Sequence, residues 1–264
     1  MCFCGEGARK PGLRLYLEGE IALFVSFIFG AIVGSFLGVC VERILAGGSV
    51  LWPPSHCPSC KRELRPAELV PLVSFLFLRG RCKNCKAPIG WSLFFVELAS
   101  GILALGLYWK LGWGWELLWS GLLMALLVVI AEIDRREFWI PDFLSLSGLA
   151  VGLAASFWRP LGFTGALMGA AVGLPLYIIY LLYPRGMGGG DGKLLALIGA
   201  FLGWQGALLS LFLGSLYGSV VGLVLMGGGK MRRGEPIPFG PFLVLGAISW
   251  FFFDGWLVRL LPMF

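Results

Sequence analysis

Two aspartates stand where apolar runs give way to short basic loops, and their placement suggests chemistry. Asp191 closes the glycine run Gly188-Gly189-Gly190, and Asp134 closes the apolar run Leu122 to Ile133 ahead of Arg135-Arg136. The chain has only two other aspartates, Asp142 and Asp254. An ionised carboxylate beside sequence apolar enough for lipid is costly, so its presence there points to use. Two carboxylates that converge at a membrane surface can share one proton, because mutual repulsion and partial desolvation keep one protonated while the other stays ionised. The ionised member activates water and the protonated one polarises a peptide carbonyl. That is aspartic-protease chemistry, with no metal and no covalent intermediate.

Each of these residues also has a plainer role. Asp191 is placed to cap a helix starting at Lys193. Gly188, Gly189 and Gly190 lack a Cβ and would let an extended peptide lie close to the loop, or they form an interhelical hinge. Lys193 either tunes the Asp191 charge or snorkels to lipid headgroups. Among the other acids in apolar context, Glu97 is either functional or a packing hydrogen bond, Glu132 lies beside Asp134, Glu42 follows the first apolar run, and Asp254 reaches the outer interface.

Cys57-Pro58-Ser59-Cys60 and Cys82-Lys83-Asn84-Cys85 form a second constellation. Two CxxC pairs at this separation predict a tetrahedral four-thiolate zinc site. The segment around them, about fifty residues, has little core of its own, so metal ligation would supply much of its folding free energy. Lys61, Arg81, Lys83 and Lys86 offset the dianionic centre. Two disulfides or a redox CxxC are the alternatives, the first disfavoured in a reducing cytoplasm. His56, the only histidine, is not needed as a ligand, and Cys2, Cys4 and Cys40 receive no role.

The elements that must position these groups are membrane helices. Of 264 residues, 58% are hydrophobic and 14% charged, and the mean hydropathy is +0.86, which describes an all-α polytopic membrane protein. Apolar stretches at 21–41, 92–109, 117–133, 143–158, 161–183, 194–204, 205–226 and 240–258 predict about eight transmembrane helices, with 194–226 alternatively one long broken span. A small four-cysteine segment at 42–91 lies between the first two. Fifteen of the 21 basic residues fall in 42–91, 134–142, 184–193 and 230–239, which places those loops on the cytoplasmic side and both termini outward. The charge of +6 is then topological, with some attraction to anionic lipid, and no nucleic acid is implied. Residues 1–19 do not resemble a cleaved signal peptide. Trp109, Trp113, Trp115 and Trp119 suit an interfacial belt.

In order, these pieces resemble the type IV prepilin peptidase family. The matching stretches are Gly34-Ser35-Phe36-Leu37, Ser55-His56-Cys57-Pro58-Ser59-Cys60, Gly80-Arg81-Cys82 to Cys85 with Pro88-Ile89, and Val96-Glu97-Leu98. They continue with Ile133-Asp134, Ile140-Pro141-Asp142, Gly188 through Leu195, and Ile237-Pro238-Phe239-Gly240-Pro241-Phe242. The resemblance implies a bacterial inner-membrane enzyme that cleaves the short basic leader of prepilins and pseudopilins with Asp134 and Asp191. It would then N-methylate the new N-terminal residue using S-adenosylmethionine. It divides the chain into an outward tail (1–19), a methyltransferase part with the zinc segment (20–116), for which Glu97 is a candidate residue, and a six-helix peptidase part (117–264). The chain departs from the family pattern at Gly38, usually Asn, and at Gly90-Trp91-Ser92-Leu93-Phe94-Phe95, commonly Ser-x-Arg-Tyr-Pro-Leu. A proton-coupled carrier and a zinc-knuckle assembly scaffold are the competing functions.

Overall fold

The structure is a computed structural model that describes residues 13–49, 54–183, 188–232 and 235–260. Cys2 and Cys4 lie outside the described residues. The elements in chain order are α1 (Leu13–Leu45), a 3-10 turn (Pro66–Glu68), α2 (Val73–Phe77), α3 (Trp91–Leu111), α4 (Trp115–Glu137), α5 (Asp142–Ala155), α6 (Gly162–Ala171), α7 (Gly173–Leu182), α8 (Gly189–Gly227) and α9 (Gly240–Leu260). Apolar runs form helices here because lipid offers no partner for backbone polar groups, and a helix satisfies nearly all of its own. Among the described residues the only β-type pairings are two isolated bridges in the cysteine segment.

Six helical runs are long and apolar enough to cross a membrane: Gly19–Leu45, Trp91–Leu111, Trp115–Glu137, Gly162–Leu182, Gly189–Gly227 and Gly240–Leu257. The sequence count of about eight is therefore not met by this criterion, for two physical reasons. Helix α5 has 14 residues, roughly 21 Å of rise against a hydrocarbon thickness of about 30 Å. Residues 194–204 and 205–226 belong to one element, α8, bent at Gly203 where φ 75° and ψ 178° leave the helical region.

The bend at Gly203 decides where the site can form. A straight helix of 39 residues would hold its ends roughly 57 Å apart. Instead, Gly190 near the start of α8 packs on Ile140, just past the end of α4, while Gly222 near its other end packs on Ile237, just before α9. The first limb of α8 runs antiparallel to α6 and α7, with Gly189, Gly192 and Gly199 against Tyr180, Tyr177 and Gly169. The second runs antiparallel to α9, with Gly206 and Gly214 against Trp250 and Leu243. Both ends of α8 therefore return to the Asp134 end of α4.

These contacts are close because lipid tails leave helices little hydrophobic reason to associate, so van der Waals packing between small residues has to hold them together. A Cβ on Gly169 would lie 2.0 Å from the Gly199 carbonyl oxygen, and one on Gly246 2.3 Å from the Ser210 carbonyl. Leu123, Leu127 and Ile130 of α4, Leu194, Leu197 and Ile198 of α8 and Leu243 of α9 are fully buried and form the central core. Replacing Gly169 by Val should separate α6 from α8 and destabilise the protein by roughly 1–3 kcal/mol, read as a lower unfolding midpoint in detergent. An unchanged midpoint would contradict backbone-to-backbone contact there.

Candidate active site and metal centre

Asp134 sits in the last turn of α4, which ends where Phe138 adopts a left-handed conformation (φ 54°) and donates its N–H to the Asp134 carbonyl. The next residues reverse direction through Ile140-Pro141, and α5 begins at Asp142. The Asp134 side chain is 5% exposed. Its Oδ2 accepts a 2.9 Å hydrogen bond from the Gly240 N–H at the start of α9.

Asp191 is the third residue of α8. It does not cap the helix: the N-cap position belongs to Gly188, whose backbone is extended, and the helix starts four residues earlier than a cap at Asp191 requires for Lys193. A carboxylate in a first helical turn is still favoured by the partial positive charge of that end. Gly190 packs on Ile140, six residues beyond Asp134, so the fold brings the two acids to the same end of the bundle although 56 residues separate them in the chain.

The glycines before Asp191 have different positions. Gly188 is exposed, and Gly189 and Gly190 are helical. A Cβ at Gly189 would lie 2.7 Å from the Tyr180 ring and one at Gly190 2.7 Å from Ile140 Cβ. Their lack of a side chain seats the start of α8 against α7 and the α4–α5 turn. Lys193 Nζ lies 2.7 Å from Asp142 Oδ1 and over the Tyr177 ring at 5.6 Å. It thus ties α8 to α5 beside the acid pair, a partner that neither role considered from sequence had named.

Other acids are engaged in packing. Arg136 joins three helices: its guanidinium donates to Glu132 on α4 (2.7 Å), Glu42 on α1 (2.6 Å) and Ser92 on α3 (2.6 Å). Glu97, 4% exposed, accepts the Leu72 N–H at 2.7 Å. Leu72 has φ 60°, costly for a leucine, so Glu97 pins a strained turn of the cysteine segment to α3. Asp254 pairs with Lys110 at 2.8 Å. The two departures from the family pattern meet in space, since a Cβ on Gly38 would lie 2.4 Å from Leu93 Cδ1.

The cysteine segment consists of two equivalent knuckles. Cys57 donates its N–H to the Arg62 carbonyl and accepts from Lys61, and Cys82 does the same with Ala87 and Lys86. Lys61 (φ 56°) and Lys86 (φ 59°) each turn left-handed after the second cysteine, and the isolated bridges His56 to Glu63 and Arg81 to Pro88 close both hairpins. The sulfurs of Cys57, Cys60, Cys82 and Cys85 lie within 4.8 Å of one another, and those of Cys57 and Cys85 are 3.7 Å apart. A tetrahedron of zinc–thiolate bonds, each about 2.3 Å, has edges of roughly 3.8 Å, so the donor set fits such an ion.

Hydrogen bonds favour thiolates at this centre. The N–H groups of Cys85 and Asn84 hold the Cys82 thiol down at about 6, and the Arg62 N–H followed by the Asn84 side chain lowers Cys60. Cys85 stands at about 11: the Ala87 N–H pulls it down, but desolvation and the three neighbouring sulfurs outweigh that pull. Sulfurs this crowded resist a further negative charge unless a cation lies among them. His56 is exposed, with Nδ1 3.0 Å from the Pro54 carbonyl oxygen. Arg62 donates to both oxygens of Glu68 at 2.8 Å and braces the segment. The Arg65 N–H, then Arg62, holds the Glu68 carboxyl below its usual range.

Gly240, Arg136 and Leu72 are the site-lining and bracing residues that sequence reasoning missed. The Ile237-Pro238-Phe239-Gly240-Pro241 stretch offered a signal for the first, because the prolines leave only Phe239 and Gly240 as donors in the turn and a glycine lets the backbone approach a side chain closely.

Comparison with known proteins places the chain in a family. Residues 28–111 match the family model described as the bacterial peptidase A24 N-terminal domain, and residues 121–223 match that of the type IV leader peptidase family. Among curated proteins named prepilin leader peptidase/N-methyltransferase, that of Pseudomonas aeruginosa is 35% identical over 280 residues, covering 93% of this chain and 93% of its own. Those of Burkholderia pseudomallei (36% identical; 90% of this chain, 87% of its own) and Bacillus subtilis (36% identical; 86% and 92%) are similar over nearly the same extent. No solved structure matches the chain significantly. With two family models together spanning most of its length, and relatives above 30% identity along nearly all of it, the chain belongs to the type IV leader peptidase family.

Proposed function

We propose that the chain is a membrane aspartic endopeptidase that removes the short basic leader of prepilins and pseudopilins, and then N-methylates the exposed N-terminal residue. The observation that carries the peptidase half is the placement of Asp134 and Asp191 at one end of the bundle, where Gly190 packs on Ile140 and Asp134 takes the Gly240 N–H. Water held between the carboxyls loses a proton to the ionised member as its oxygen attacks the scissile carbonyl carbon. The protonated member donates to the carbonyl oxygen. Collapse of the tetrahedral intermediate then breaks the C–N bond, and the leaving amine takes up a proton.

The Asp134 end of the bundle faces the cytoplasm in this account, because most basic loop residues lie there. The basic leader of the substrate stays among headgroups on that side while its apolar helix remains in lipid. Read with their directions, the two limbs of α8 and the short α5 bring the number of membrane passes to eight and leave both termini outward. The first two helices with the cysteine segment form the methyltransferase part, and residues 117–264 form the peptidase part.

Zinc is the metal we assign to Cys57, Cys60, Cys82 and Cys85, in a structural role, since four thiolates close a tetrahedral ion to substrate. S-adenosylmethionine, when bound, supplies an electrophilic methyl group. The chain's contribution is to release an α-amine whose ordinary pKa, near 8, leaves a nucleophilic fraction at cytoplasmic pH. Glu97, already holding the Leu72 N–H, is assigned to bracing the cysteine segment.

Asp134→Asn and Asp191→Asn should each reduce cleavage of a prepilin-like peptide by about 10²–10⁴-fold with unfolding midpoints unchanged; undiminished cleavage by both would remove the dyad. Metal analysis of purified protein should give one zinc per chain, lost together with thermal stability in Cys82→Ser. Little metal and two disulfides would reverse the assignment. Incubation of pre-cleaved peptide with a methyl-labelled donor should label its N-terminus, and absence of label at every pH tried would leave only the peptidase.

A further inference from the structure

In the Pro238-Phe239-Gly240-Pro241 turn at the start of α9, only Phe239 and Gly240 carry a backbone N–H. Pro238 and Pro241 have no N–H. The N–H groups of Phe242 and Leu243 are both taken by the Phe239 carbonyl, each at 3.0 Å. The Gly240 N–H is directed instead at Asp134 Oδ2, 2.9 Å away and buried. A Cβ at position 240 would lie 2.7 Å from that same oxygen and 3.1 Å from the carboxyl carbon. Glycine is thus required by the side chain it serves, because any other residue would push the carboxyl away.

The two acids are held differently. Asp134 sits at the C-terminal end of α4, where the partial negative charge of the helix disfavours a carboxylate, whereas Asp191 sits in the favourable first turn of α8. The N-terminal end of α9 brings opposite partial charge and one direct donor to Asp134. Among the described residues Gly240 is the only hydrogen-bond donor to the Asp134 side chain, so this contact alone fixes its orientation.

We propose that Gly240 is a positioning residue of the peptidase site: its N–H fixes the Asp134 carboxylate through Oδ2 and leaves Oδ1 for the attacking water. The proposal rests on the dyad assignment above. It makes the α9 turn part of the catalytic apparatus, although no side chain of that turn takes part in the chemistry. It also links the second limb of α8 to the reaction, because that limb holds α9 in place through Gly214 against Leu243 and Gly222 against Ile237.

The test replaces Gly240 in the full-length protein, inserted into nanodiscs, in two ways. Gly240→Ala adds the Cβ. Glycolic acid in place of Gly240, introduced by nonsense suppression in cell-free synthesis, turns the amide into an ester: it removes the N–H without adding an atom and weakens the Phe239 carbonyl as acceptor for Phe242 and Leu243, a change that the unfolding midpoint reads. Cleavage of a prepilin-like peptide should show kcat lowered about tenfold for the ester and further for Ala, with KM and the ester's unfolding midpoint close to those of the parent. Should Gly240→Ala fail to fold, the ester carries the test alone, since it adds no atom to the packed turn. Parental kcat in the ester overturns the proposal, as does a raised KM at parental kcat. Asp134→Asn, measured alongside, separates the two claims: if it is inactive while the ester is normal, only the role of Gly240 is lost. If it cleaves normally, the dyad itself falls.

Discussion

Backbone contact between helices is the constraint on which the rest of this structure depends. In a solvent as apolar as its own side chains, the bundle is held by surfaces that approach closely, and glycines at 169, 199, 192 and 246 allow carbonyl oxygens to reach within distances that any side chain would block. This contact seats the first limb of α8 among α5, α6 and α7. The turn at Gly203 sends the second limb back along α9. Because both ends of α8 then lie at the end of α4, an acid from each of two distant segments reaches one place. The electrostatic cost of holding Asp134 and Asp191 together is borne by this packing, since neither has an opposite charge as its hydrogen-bonded partner among the described residues.

A separate set of contacts joins the cysteine segment to that bundle. Glu97 grips the strained backbone at Leu72, and Arg136, two residues beyond Asp134, bonds to α1 and α3 at once. Each carries charge or strain that is costly to leave unsatisfied. Arg136 therefore joins α4 to α1 and α3 close to Asp134, while Glu97 holds the cysteine segment to α3.

The amino-acid sequence disclosed some of this and hid the rest for identifiable reasons. The cysteine pairs were legible because CxxC is a local pattern whose geometry follows from a single turn, and their sulfurs cluster as that pattern implies. The aspartates were conspicuous because so few acids occur in so apolar a chain. The break in α8 was legible to within two residues, as the division between 194–204 and 205–226, but not which glycine takes the positive φ; the eight apolar stretches are found as six long helices, one folded back at Gly203, and the short α5. The partners of Lys193 and Glu97 lie 51 and 25 residues away in the chain. Contacts of that kind are tertiary and leave no periodic trace. The role of the glycines before Asp191 was open between loop and hinge, and only the positions of Tyr180 and Ile140 reveal two of them as packing residues.

The central claim is that two carboxyls act as one catalytic unit, and a double-mutant cycle on peptide cleavage tests it most directly. Groups that share one water and one proton lose their joint contribution when either is removed. The account predicts that Asp134→Asn combined with Asp191→Asn is no slower than the worse single variant. Losses that multiply across the two sites would show independent action, and would contradict the shared site.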